Sequence, residues 1–137
     1  MAVEAIEFND IRYAEIIWAN TTVAQTTFYS PAESSFQFGL LAHEAGFVEP
    51  AHYHRPFSRN IDDLQQMFVV QRGVVAVELF ADDGRPLREI VLRPGDAIVL
   101  IHGVHAIRVI EDVQCITVKQ GPFLGAEYDK VFVSKAA

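Results

Sequence analysis

The sequence predicts an all-β fold, an antiparallel sandwich or barrel with little helix, and three observations carry that prediction. Apolar residues recur with a period of two rather than 3.6 through most of the chain, so successive side chains alternate between two faces. The alternating runs are short, and Gly, Pro and Asp signals separate them. Half of the 137 residues are apolar and 21% are charged, enough for a packed core and too apolar for a disordered chain.

The elements follow in order. Residues 10–20 (DIRYAEIIWAN) read either as a short helix capped by Asp10 or as an edge strand, because β-branched and aromatic residues compete with the capping signal. Residues 36–44 (FQFGLLAHE) alternate and read as a strand. Residues 55–63 (RPFSRNIDD) are the most polar stretch and read as an exposed loop. Residues 66–80 (QMFVVQRGVVAVELF) read as two strands meeting at a turn around Arg72-Gly73. Ala81-Asp82-Asp83-Gly84 has turn chemistry, residues 87–92 form a strand, and Arg93-Pro94-Gly95-Asp96 is a second turn. Residues 97–101 and 105–110 are strands broken at His102-Gly103-Val104, and Glu111-Asp112 connects to a last strand over residues 113–120.

Composition also excludes several classes of function. A formal charge of −7 argues against nucleic acid as a partner, since a duplex-binding domain carries a basic face. No run of about 18 apolar residues exists to span a membrane. The amino terminus has no basic segment leading into an apolar stretch, so a cytoplasmic location is expected. Cys115 is alone, which rules out an intrachain disulfide and a multi-cysteine zinc site. It reads as a small buried hydrophobe. No Gly-rich phosphate loop or Ser-centred elbow is present.

The five histidines hold the chemical information: His43, His52, His54, His102 and His105. On an extended strand His52 and His54 would project from one face, and two imidazoles on one face are the beginning of a transition-metal site. His43 reads as a hydrogen-bonded structural residue. Five residues lie between Gly46 and His52, six lie between Gln66 and Gly73, and Gly95-Asp96 opens a strand that leads to Gly103-Val104-His105. This pattern resembles the two motifs of the cupin superfamily, G(X)5HXH(X)3–4E(X)6G and G(X)5PXG(X)2H(X)3N, over about residues 36–120.

The resemblance implies a double-stranded β-helix, or jelly-roll barrel, over residues 36–137, with residues 1–35 as an extension whose edge strands pack on the barrel or on a partner subunit. It implies one divalent transition metal (Fe, Mn, Zn or Ni) held by His52, His54, Gln66 and His105. It also implies homodimers, for which the apolar segment YAEIIW at residues 13–18 offers an edge. The tail from Val118 to Phe123 is similar to small cupins of bacterial polysaccharide gene sets.

The departures from the pattern are definite. Eleven residues separate His54 from Gln66, so the polar loop is an insertion at the barrel mouth. Ile101 replaces Pro, one residue rather than two separates Gly103 from His105, and Val109 replaces the closing Asn. Gln66 replaces the acid, and a neutral amide oxygen leaves a bound dication its full charge while weakening its retention. His102 competes with His105 for the last ligand position, but its place in the turn points it outward.

The expected ligand is a small polar molecule. Phe68, which shares a strand face with Gln66, would line its pocket. Thr117 and Lys119 share a face on the last strand and could reach inward, Lys119 as an anion clamp or acid–base group. Arg55 and Arg59 on the inserted loop could close over a carboxylate or phosphate. Metal-assisted isomerisation or epimerisation of a sugar-like compound and dioxygenation both suit such a site, and a non-catalytic ligand-binding or sensory barrel is the alternative. No catalytic residue is assigned.

Overall fold

A computed structural model of the chain describes residues 3–133. They form a nearly all-β molecule. Five strands follow one another through hydrogen bonding in the order β1 (Glu4–Phe8), β2 (Ile11–Ile17), β7 (Ala97–Leu100), β5 (Gln66–Phe80) and β6 (Pro86–Leu92), and β8 (Val104–Lys119) runs along the other side of β5. All of these pairings are antiparallel, and the sheet curls into a half-barrel. A two-stranded hairpin of β3 (Thr27–Phe28) and β4 (Gly39–Leu40) and one turn of helix, α1 (Ala126–Asp129), complete the described elements. The predicted all-β class is thus found; the strands differ in several places from the sequence reading.

The segment at residues 10–20 is a strand, and not an edge one. Asn9 and Asp10 take left-handed φ of 50° and 61° in the tight β1–β2 turn, where Asp10 is a turn residue rather than a helix cap. β2 then lies between β1 and β7, with Ala14 opposite Leu100 and Ile17 opposite Ala97. Tyr13, Ala14, Ile16 and Ile17 are buried there, so the apolar segment closes on this chain's own core instead of offering an open edge. The strand read at residues 36–44 shrinks to Gly39–Leu40, because Phe36 and Phe38 turn onto the sheet to cover a core face.

Residues 66–80 are one strand, not two. The residue that suggested a turn, Gly73, has φ of 83°, and an added Cβ would come within 2.0 Å of the Asp112 carbonyl oxygen. The chain therefore bends there without reversing. The pairing of β5 with β8 shifts register between Val70 and Val75, which marks bulges at the bend. By the same token Glu111-Asp112 is no connection: it lies inside the continuous 16-residue β8, opposite the bend.

Alternation along the strands sends side chains to two cores. Ala14, Ile16, Val75, Val77, Leu79, Ile90, Leu92, Ile98 and Leu100 form the larger. Ile17, Ala97, Val99 and Phe38 form the smaller on the opposite face, with Met67 and Val69 against them. At the β6–β7 turn the buried Asp96 carboxylate accepts hydrogen bonds from the Ala19 and Arg93 backbone amides at 2.8 and 2.9 Å, tying the end of β2 to the turn.

Candidate functional site

The predicted site residues fall into two groups. Gln66 opens β5 beside Leu100, and the chain after Leu100 turns through Ile101-His102-Gly103 into β8, where His105 stands opposite Leu79 at the other end of β5. Together with Asp63, Leu64 and His102 they line a cavity of about 210 Å³. His52 and His54 form the second group. Their rings sit edge to face with centroids 5.4 Å apart, as a same-face pair would. They stand on an irregular segment, however, and every residue from 43 to 64 is exposed. His52 is held by contacts to the Pro50 carbonyl at 2.8 Å and to the Glu49 carboxylate at 3.4 Å.

Local chemistry prepares each group in the cavity. The Gln66 amide nitrogen donates to the Thr117 hydroxyl at 3.0 Å, across the β5–β8 ladder, which leaves Oε1 as the free acceptor. Partial burial, with the Lys130 charge added, pushes the His105 imidazole below its usual pKa, which favours the neutral form that can donate a lone pair. Asp63 is held below the usual carboxylate range by hydrogen bonds from the side chains of Gln65 and Ser35, so the rim carries a fixed negative charge.

His102 lines this cavity instead of only facing outward. Its Nε2 lies 2.9 and 3.0 Å from the two oxygens of Asp82, and its ring stands edge-on to Tyr13 with centroids 5.2 Å apart. The Tyr13 carbonyl accepts the His102 and Ile101 amides, and the Asp82 amide donates to the Tyr13 hydroxyl at 3.3 Å. Gly103 is what lets the ring sit so close: its φ is 84°, and a Cβ would lie 2.8 Å from the Tyr13 ring. With Asp82 accepting the Nε2 proton, Nδ1 is left as a base. The sequence reading missed this pair, since Asp82 and His102 are 20 residues apart in two turns. The sequence offered only an Asp-Gly turn after residue 80 and a His-Gly turn before residue 104, and it is the β5–β8 ladder that sets them side by side.

The remaining candidates lie elsewhere. Phe68 packs against the larger core. The Lys119 ammonium pairs with Asp129 at 3.2 Å and lies 4.8 Å over the Phe123 ring, drawn toward α1. Arg59 stacks 3.6 Å over Phe57 on the exposed segment, which also carries Arg55. His43 stacks on Phe47 with ring centroids 3.9 Å apart, a structural contact. Cys115 is partly covered by the larger core, and burial raises its thiol pKa.

No family model, curated protein or solved structure matches this chain. A second, more apolar cavity of about 380 Å³ lies on the far side of His105, between Phe80, Val104, Ala106 and the segment 131–133. His105 thus borders both spaces.

The donor set suits a transition metal in kind: three imidazoles, one of them with a lowered pKa, and an amide oxygen that accepts no hydrogen bond among the described residues. In position they are two pairs. Among the described residues no three His, Cys, Asp or Glu side chains converge on one point.

Proposed function

We propose that this protein is a small-molecule-binding cupin barrel that takes up a divalent transition metal and acts on a small polar, oxygen-rich compound. The observation that carries the reading is the cavity that Gln66 and His105 share, the only two of the four candidate ligands that line one space, with His52 and His54 as a matched pair on the segment leading to it. His52, His54, Gln66 and His105 would hold the ion, which when bound supplies Lewis acidity or redox capacity for isomerisation, epimerisation or dioxygenation. The chain's own groups do the rest. His102, backed by Asp82, moves a proton through Nδ1, and the ionised Asp63 selects against anionic groups at that side of the rim. The apolar space beyond His105 accommodates the less polar end of the compound. Candidate compounds are diketones, thiols and sugar derivatives.

A specific observation favours the second reading, a ligand-binding barrel without catalysis: the ligating side chains stand as two pairs rather than one set. Metal analysis of the purified protein separates the two. Bound metal near one equivalent, lost in His52→Ala and retained in His43→Ala, supports the metal-dependent reading, and Gln66→Glu should tighten retention. Equal metal content in both histidine variants, or none in the wild type, overturns it. Tight ligand binding without turnover or O₂ uptake would then establish the non-catalytic barrel.

A further inference from the structure

We infer that the apolar cavity beyond His105 is a site for an uncharged aromatic hydroxy compound, and that the carboxy-terminal segment 131–133 folds down over that compound when it binds. This deepens the proposed function and rests on it only in that a ligand enters beside His105; it requires no metal.

The cavity has two apolar walls that do not meet. One is the end of the β5–β8 ladder, where Phe80 stands opposite Val104, with Ala106 two residues further along. The other is Val131-Phe132-Val133. A space of about 380 Å³ lies between them, within the roughly 300–1,000 Å³ of small-molecule sites. Val131 and Phe132 are each 90% exposed, so the segment leaves bare the apolar surface that closure would remove from water. The chain just before it holds it off. Lys119 pairs with Asp129 at 3.2 Å, and the Asp129 and Lys130 amides donate to the Gly125 and Ala126 carbonyls at 3.0 Å. The backbone is thus fixed through residue 130, while residues 131–133 lie in no helix or strand. An occupant that touches both walls gains its second set of contacts from the movement of three residues.

The class of occupant follows from the groups at the polar side. Asp82 contributes a carboxylate to the lining, and among the described residues no lysine or arginine lines it, which opposes an anion. Lys130, at the base of the segment, lies near enough to act on His105, which opposes a cation on that side. An uncharged molecule is left. The His102 Nε2 contacts at 2.9 and 3.0 Å use part of a carboxylate that offers about four lone-pair sites, and the remainder can accept an O–H. Phe80 and Phe132, one on each wall, place an aryl group between two rings, where offset or edge-on contacts add to simple burial.

Calorimetric titration of the full chain with naphthol, naphthoate and naphthylmethylamine, paired with amide hydrogen exchange, tests this. Naphthol should bind at one saturable site, with both charged analogues weaker by about tenfold or more, and its binding should slow exchange over residues 131–133. Ala106→Trp fills the space and should abolish binding. Phe132→Ser keeps the test decisive if that variant folds poorly: a ring so exposed contributes little to the free fold, so its unfolding midpoint should stay put while naphthol binding weakens about tenfold. No saturable naphthol binding, equal binding of all three probes, or wild-type affinity in Phe132→Ser overturns the inference. Naphthol bound equally by wild type and His52→Ala, in a protein that holds no metal, leaves the inference standing and removes only the metal-dependent reading; bound metal without naphthol binding does the reverse.

Discussion

Glu15 shows how a single side chain is caught between two demands. Its carboxylate is almost fully buried on the interior strand β2, one oxygen bonded to Arg12 and the other without a partner. Burial raises its pKa in spite of the Arg12 charge. A carboxyl group whose folded pKa lies above its unfolded value binds the proton more readily when folded, so its contribution to stability is present at low pH. That contribution is lost as pH rises from the ordinary carboxylate range through the raised folded value. Urea denaturation across pH should therefore show wild type losing stability relative to Glu15→Gln over that window and running parallel to it elsewhere. Two curves parallel throughout would refute the assignment. Gly73 is the other residue with a sharp expectation. Alanine there would meet the Asp112 carbonyl in a backbone region that side chains disfavour, and Gly73→Ala should cost about 2–4 kcal/mol in the same assay.

At the scale of elements, turns decide whether strands end or merely bend, and this is where the sequence was least legible. Ala81–Gly84 and Arg93–Asp96 each reverse the chain as their composition predicts, closed by hydrogen bonds from Gly84 to Ala81 and from Asp96 to Arg93. Arg72-Gly73 has the same look in one dimension. What distinguishes it is the partner β8 passing alongside without interruption, a contact between residues about 40 apart that no local pattern records. The shared cavity of Gln66 and His105 was foreshadowed by motif spacing, whereas the Asp82–His102 contact depends on two turns meeting in space. Asp96 does at the β6–β7 turn what turn propensity alone cannot, receiving one amide from its own turn and one from Ala19 at the end of β2. Asp96→Ala strands both donors and should cost about 2–4 kcal/mol by thermal or urea unfolding, with Asp96→Asn in between.

For the whole molecule, the curl of one sheet creates a deep interior along the middle of its strands and leaves its rim bare. Leu92 and Ile98 are fully buried and Ile107 is half exposed on the same sheet. Alanine at either of the first two should cost about 2–5 kcal/mol, and Ile107→Ala under about 1 kcal/mol, measured by urea unfolding. Equal costs would mean that the interior is not where these strands place it. The fold class was legible because period-two alternation is a local property; which strands neighbour which was not. Placement of β2 illustrates the difference. Ala14 has its partner in Leu100, far down the chain. During synthesis at ~5–20 residues per second, that first hairpin waits roughly 4–17 s for the stretch it must join. Through that interval the nascent polypeptide carries Ile16 and Ile17 uncovered, which makes it a natural client for whatever shields apolar segments at the ribosome.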